Sequence, residues 1–486
     1  MKPLAAPAVC LALALLTFFG YPGHTWLQQD TQIYVPLMEH QRDATALRND
    51  LLVQYPHLAF TLYDEVTRGL RAITGQDFRE VLAAQQIVTR ALGIWGFYLM
   101  ALALGLGPLP SWIVAAMCAL GATITGPQVL SFEYEPTPRA FAVPLLFLVM
   151  GLAAHRRYSA AAIAAAAAFL YHPPTAIPVL VLLAIVAYRR PTAVLPAFAV
   201  AVAILALAAH GEPGQAVFGR LTPLQEQLQR MRAPYAWIST WRPVWVLNFL
   251  LLAAITAVAY TRLKLSRELK IFLLGLPLLG LLSMPVSYLL LERAMWVLMP
   301  QIQPLRMLLF VAVAAQFLAA AAGVRAAISR RVPEAVAFLA LTYLIAVQPA
   351  LTDPQLWRPL WPPFRPAYPA LHTPALAQLS AWASASTPRD AVFLFPDASH
   401  NLAPGIFRSE ALRAVFVDWK SGGQVNYSKD FAEQWWTRYQ LTMTGPINVP
   451  KYQAFGISYI VVRPEHRLPR PAVYENASYL VYATIP

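Results

Sequence analysis

Long apolar runs broken by short polar stretches fill the first 350 residues. A hydrocarbon core of about 30 Å is crossed by about 20 apolar residues in helix, fewer where neighbours shield the helix. Runs near 3–20, 85–106, 109–125, 139–154, 159–171, 174–188, 192–209, 243–260, 271–290, 305–322 and 333–350 meet that pattern. The expectation is an α-helical polytopic membrane domain over 1–350 with about 11 transmembrane helices. Dividing 159–188 into two rests on His172, Pro173 and Pro174, because proline stops a helix and tolerates only the start of the next. Within 21–84, Tyr63, Val66, Leu70 and Ile73 recur at helical spacing between Asp64, Glu65, Arg68 and Arg71, which predicts an amphipathic helix on the membrane surface.

Past residue 350 the pattern changes. Residues 351–370 form a Pro- and aromatic-rich linker unsuited to a regular helix. Beyond it come a helical stretch from Pro374 to Ser384, apolar runs starting at 391, 413, 457 and 478, and a helical stretch from Tyr427 to Met443 with Phe431, Trp435 and Tyr439 on one face. Residues 371–486 therefore read as a small α/β domain large enough for its own core.

Composition agrees: 58% of the 486 residues are hydrophobic and the mean hydropathy is +0.49, too apolar for a soluble globule. The net charge of +13 raises nucleic acid as a partner, but the basic residues sit in short clusters between apolar runs. Membrane orientation accounts for that arrangement, and no nucleic-acid partner is expected. A cytoplasmic amino terminus puts Arg156 and Arg157, Arg189 and Arg190, the 262–270 cluster, and Arg325, Arg330 and Arg331 all inside. Loops 21–84, 126–138, 210–242 and 291–304 and the carboxy-terminal domain then lie outside. The first segment lacks a clean small-x-small cleavage site and is expected to remain as a span. Cys10 and Cys118 lie far apart in apolar runs and imply no disulfide framework. Motifs for P-loop ATPases, zincins, thiol redox enzymes and α/β hydrolases are absent from the sequence.

Charged residues make up only 13% of the chain, so the acidic stretch 26–50 after the first span is informative. Asp30 is the leading candidate for a general base, with Glu133 and Glu135 of the 126–138 loop as a second acidic site or as partners of Arg139. Arg139, His172 and Arg242 each stand beside a proline at the outer start of a span, and Arg306 stands two residues after one, Pro304. A cation there opposes the helix dipole unless something anionic offsets it. Such starts would hold a lipid phosphate, or simply snorkel toward headgroups. In the outer domain Arg408, Arg413, Asp418 and Lys420 cluster around an expected strand and a Ser-Gly-Gly turn, as a ligand site or as an ion-paired strand end. Asn426-Tyr-Ser fits the short glycosylation pattern.

The stretches QDTQIYVPLMEH with Asp50 downstream, TPRAF, YHPP and FRSEALRAVFVDWK resemble the GT-C superfamily of polytopic glycosyltransferases, and a poorly characterised bacterial family of that kind with an outer α/β domain. The resemblance implies a GT-C-like enzyme of the bacterial inner membrane with a periplasmic carboxy-terminal domain. It implies a sugar carried on a polyprenyl phosphate and passed to a glycan or lipid acceptor at the outer face. Asp30 would activate the acceptor, Glu133 or Glu135 would form the second acidic site, and Arg139, His172 and Arg306 would hold lipid phosphate. A divalent cation such as Mg or Mn, if one takes part, would have Asp30, Glu133 and Glu135 as ligands. This chain departs from the family in that Asp30 has no adjacent acid. A non-catalytic binder of lipid-linked glycan and a lipid or glycan transporter are the competing readings.

Overall fold

A computed structural model describes residues 5–56, 62–127, 129–211, 218–352 and 371–484; residues 353–370 of the expected linker lie outside that set. Each apolar run expected as a span in the first 350 residues coincides with a helix over most of its described length. Among the described residues four helices are long and apolar enough to cross a membrane, among them Phe78–Ala103, Pro243–Thr261 and Met299–Ile328, and the other apolar helices run 10–17 residues. Position in the bundle follows from what each helix offers its neighbours. In the most apolar stretch of Met299–Ile328, 94% of the residues are buried, so it runs through the interior of the bundle. Pro243–Thr261 turns Leu247, Leu250, Leu251 and Val258 outward, the face a lipid-exposed helix needs.

Phe78–Ala103 packs closely on Pro138–Ala154, and small residues make this approach possible. A Cβ at Gly96 would fall 2.3 Å from the Phe147 carbonyl, and one at Gly151 would fall 2.6 Å from the Gly96 oxygen. The helix at 158–186 breaks at the residue the sequence singled out: Tyr158–Tyr171 ends, His172 leaves helical geometry (φ −157°, ψ 87°), and Pro173–Val186 begins. Arg139 opens the Pro138–Ala154 helix, whereas Arg156 follows its end, about 25 Å away by helical rise. At that far end Arg156 pairs with Glu268 and Arg262 with Glu334, so the basic loops share one end of the bundle.

At the other end, the first large loop is more structured than its sequence suggested. It carries Thr31–Arg42, Leu51–Gln54 and Tyr63–Thr74 as helices. The last is the amphipathic helix, buried through Tyr63, Asp64 and Thr67, with Leu70 and Ile73 turned outward.

The carboxy-terminal region holds a five-stranded sheet. In chain order the strands are β1 (Val392–Leu394), β2 (Ala414–Val415), β3 (Tyr459–Val462), β4 (Tyr474–Glu475) and β5 (Leu480–Ala483), arranged β2-β1-β3-β5-β4. β1 runs parallel to β2 and β3, and β5 pairs antiparallel with β3 and β4. Because successive strand residues face opposite sides, the sheet serves two cores. Phe393, Val415, Val461 and Val481 pack in one cluster with Leu27, Val35, Tyr63, Leu82 and Phe141 of the membrane domain and its first loop. Leu394, Ala414, Ile460, Val462 and Tyr482 pack on the other side with Phe431 and Trp435 of the Lys429–Thr442 helix. The 407–420 stretch differs from the expected strand. Arg408 lies on a helix, Ala403–Ala411, and only two residues that follow are extended.

Candidate functional site

The site is built where the first loop, the 131–137 loop and the carboxy-terminal domain meet. Glu135 organises it from beneath. Its buried carboxylate accepts the backbone N–H groups of Gln28 (3.0 Å), Gln29 (2.7 Å) and Asp30 (3.0 Å) and the Thr31 hydroxyl. These donors belong to the residues that lead into Thr31–Arg42, so the carboxylate fixes the approach to that helix, and an anion there also suits the helix dipole. Burial pushes the Glu135 carboxyl up to about 7, against the pull of the Thr31 and Gln29 hydrogen bonds. Arg90, buried in the Phe78–Ala103 helix, donates to the carbonyls of Gly23 (2.6 Å) and Glu133 (2.7 Å), joining the two loops. The Tyr63 hydroxyl donates to Pro136 O at 2.7 Å.

The Asp30 side chain does not do the usual work of its position, because the first-turn N–H groups of Gln32 and Ile33 donate to the carbonyls of Gln29 and Asp30. An Asp at the N-cap normally accepts from the first turn, but Asp30 makes no such bond. Its carboxylate instead meets Lys420 Nζ at 2.7 Å and Arg139 at 3.6 Å. Burial would raise its pKa, but the charges of Lys420, Arg139 and Arg306 outweigh that and hold Asp30 well below the usual carboxylate range. Glu133 occupies the far side of Arg139, at 3.2 Å, and fixes the guanidinium from behind. Burial raises Glu133, while Arg139 pulls against that rise. Tyr34, one helical turn from Asp30, is raised far above its ordinary value by burial and by the Asp30 charge, so its phenol keeps its proton.

Lys420 arrives from the carboxy-terminal domain on a turn that Asp418 holds by accepting from Ser421 N at 2.9 Å. Gly422 is required there: a Cβ would lie 2.3 Å from the Trp435 ring.

These groups border a cavity of about 280 Å³ between the two domains, lined by Asp30, Arg139, His172, Arg306 and Lys420 together with Tyr34, Arg232, Gln303, Trp419, Gln424, Asn426 and Tyr427. Five of the residues expected from the sequence thus share one cavity wall. The Arg306 guanidinium faces His172 Nε2 at 3.5 Å. Arg232, which sequence reading passed over, lies with its guanidinium 3.8 Å above the Trp419 ring. Its only signal was its place at the end of an amphipathic segment rich in arginine. Among the described residues neither Arg232 nor Arg306 pairs with a carboxylate, and the Nε of each is buried without a partner. The wall therefore carries four cations against the one carboxylate of Asp30, and Glu133 offsets one more from behind.

Other candidates lie elsewhere. Glu133 and Glu135 are buried behind the wall. Arg242 is exposed at the start of Pro243–Thr261 and does not line the cavity. Arg408 is enclosed between Asp50 (2.6 Å) and Asp418 inside the carboxy-terminal domain. Arg413 spends its donors on nearby oxygens, including Thr387 O at 2.8 Å and Ser384 O at 2.9 Å. Asn426 is buried against the cavity, a poor acceptor for glycosylation in the folded chain. A divalent cation does not fit this donor set. Asp30 is flanked by Lys420 and Arg139, and among the described residues no three His, Cys, Asp or Glu side chains converge.

Residues 375–442 match the family model of a domain of unknown function (DUF6798). No curated protein matches the sequence. Among solved structures, the chain is similar to the arabinofuranosyltransferase AftD from Mycobacteria, at 17% identity with a TM-score of 0.52, over 95% of this chain and 35% of AftD. ArnT from Cupriavidus metallidurans aligns at 12% identity with a TM-score of 0.39, over 99% of this chain and 97% of ArnT. The likeness to AftD shows a GT-C-like membrane fold, and the chain spans about a third of AftD's length.

Proposed function

We propose that this chain is a membrane glycosyltransferase that moves a sugar from a polyprenyl-phosphate donor to an acceptor at the outer face of a bacterial inner membrane, with its carboxy-terminal domain in the periplasm. The observation that carries this reading is the convergence of Asp30 with Arg139, His172, Arg306 and Lys420 on one cavity wall. A nucleophilic hydroxyl needs a carboxylate to take its proton, and a departing phosphate needs fixed positive charge.

In the reaction, the acceptor hydroxyl gives its proton to Asp30 as its oxygen attacks the anomeric carbon. The bond from that carbon to the phosphate oxygen breaks, and its electron pair leaves with polyprenyl phosphate, which gains one negative charge. Arg139, Arg306 and Lys420 surround that charge. Donor binding also prepares the base. A phosphate drawing Lys420 and Arg139 toward itself relieves the two strongest influences that hold Asp30 low, and the carboxylate becomes a better proton acceptor. No step is routed through a metal ion.

Asp30→Asn should lower sugar transfer by about 10²–10⁴-fold. Membrane insertion and thermal unfolding in detergent should be retained. A folded Asn variant with full transfer would sink the assignment. One observation favours a second reading, a non-catalytic binder of lipid-linked glycan: Asp30 is already ion-paired by Lys420 at 2.7 Å. That reading requires saturable binding by the wild-type protein with no turnover.

A further inference from the structure

The wall also carries polar atoms that Asp30 and the cations do not use. Gln303, Gln424 and Asn426 are 7%, 5% and 9% exposed, and the carbonyl oxygen of each side chain is buried without a hydrogen-bond partner. A buried polar group left unsatisfied costs about 1–3 kcal/mol in general, so three on residues that line one cavity favour rotation of those amides toward a ligand or toward the water it replaces. They come from both sides of the seam. Gln303 belongs to the membrane domain, three residues before Arg306, and Gln424 and Asn426 stand in the Ser421–Asn426 turn that follows Lys420. Gln303 also adopts a left-handed backbone (φ 46°, ψ 63°), a conformation that disfavours a residue with a Cβ. Its N–H donates to Met299 O at 2.9 Å and its carbonyl accepts from Arg306 N at 3.0 Å, so the strained residue is tied into the same turn as the arginine.

We infer that Gln303, Gln424 and Asn426 form a sugar subsite, in which the hydroxyls of the transferred glycosyl group donate to the three amide carbonyls while the cations hold its phosphate. This rests on the glycosyltransferase reading and adds the group that recognises the sugar. The chemistry separates the two parts of the donor. At neutral pH a phosphodiester has no proton to give, so it cannot satisfy a carbonyl oxygen, whereas each sugar hydroxyl both donates and accepts. If an amide is turned over, the group left without a partner is an N–H, which a sugar hydroxyl oxygen satisfies equally well. The subsite spans the seam between domains, so a bound sugar would bridge Gln303 to Gln424 and Asn426 across it.

The test compares two probes on the detergent-solubilised full chain: polyprenyl-phosphoryl sugars, one pentose and one hexose, and sugar-free polyprenyl phosphate of the same chain length. The tighter-binding of the two sugars is carried forward. The substitutions Gln424→Ala and Asn426→Ala remove no side-chain hydrogen bond within the protein among the described residues, so both variants should fold, which the unfolding temperature checks. Each should weaken the sugar-bearing probe about tenfold and leave polyprenyl phosphate within about twofold. Equal losses for both probes, or no loss for either, would overturn the subsite. So would a wild-type protein that binds the sugar-bearing probe no more tightly than polyprenyl phosphate. Turnover is read separately in the wild-type protein: sugar-selective binding without any transfer would overturn the catalytic reading while leaving the subsite in place.

Discussion

The same loop is fastened to the same domain by two acid–base clusters that follow opposite rules. In one, Arg408 lies between Asp50 and Asp418, and all three side chains are 1% exposed. Asp50 also accepts from Leu52 N at 2.9 Å and Val415 N at 2.8 Å, so a backbone group from each domain ends on one carboxylate. In the other, Asp30 meets Lys420 and Arg139 at a cavity, with 27% of the Asp30 side chain exposed. Neighbouring Arg232 and Arg306 there form no ion pair with a carboxylate among the described residues, and the Nε of each is buried without a partner. The sealed cluster closes two carboxylates around one arginine, away from solvent, and leaves no room for a ligand. The open cluster carries an excess of positive charge and unpartnered polar atoms, which are the marks of a place where a substrate completes the bonding. The sealed cluster also positions the open one, because Asp418 holds the turn that presents Lys420.

The comparison breaks first at Arg408. Arg408→Leu would leave Asp50 and Asp418 buried without their counter-ion, a change that costs about 3–5 kcal/mol. We expect a lowered unfolding temperature and protease cleavage at the junction with the carboxy-terminal domain. A stability loss below about 1 kcal/mol would mean that the sealed cluster is no more structural than the open one.

Lys420→Met should do the reverse. The pair it forms is partly exposed, so stability should change by less than about 1 kcal/mol. Transfer should nevertheless fall by about 10–100-fold through loss of phosphate stabilisation. The pH dependence supplies a sign. Asp30 is held below its unfolded value, so its ion pair contributes stability above the ordinary carboxylate range and loses it as pH falls through the folded value. Lys420 is the strongest of the charges that lower Asp30. Removing it should move Asp30 upward, and the acid limb of kcat/KM should shift to higher pH in Lys420→Met. An unshifted limb would show that Asp30 does not set it.

How much of this was legible in the sequence follows from what each residue had to announce. The apolar runs were long enough to be read, and the break at His172 was marked by two prolines. Asp30, Arg139, His172, Arg306 and Lys420 stood out because charges are scarce beside apolar runs. Arg232, Gln303, Gln424 and Asn426 did not. Arg232 ends a helix, Gln303 and Gln424 are ordinary polar residues in turns, and Asn426 was marked only as a glycosylation acceptor; the packing of the carboxy-terminal domain on the membrane domain makes them neighbours of Asp30. Glu135 was visible, but not its use. Its scarcity suggested chemistry, and in the structure its carboxylate accepts the backbone N–H groups of Gln29 and Asp30 just ahead of the helix. A one-dimensional pattern cannot separate those two uses of an acid, because the difference lies in which loop folds over the helix start.

Arg242 gives the smallest expected effect and the sharpest boundary. Its sequence setting matches that of Arg139: a basic residue beside a proline at the start of an apolar helix. Arg139 is turned inward by Glu133 and Asp30, whereas Arg242 is exposed and meets neither. A cation at a helix start is disfavoured by the dipole by about 0.3–1 kcal/mol in exposed settings. With no anion paired to it among the described residues, Arg242→Ala should leave stability unchanged or slightly improved. Transfer should stay within about twofold of wild type, because no contact to the cavity is lost. A tenfold fall in transfer from this one substitution would extend the anion site beyond the cavity wall, to a phosphate path along the helix starts, and the contrast between inward and outward arginines would no longer mark the edge of the site.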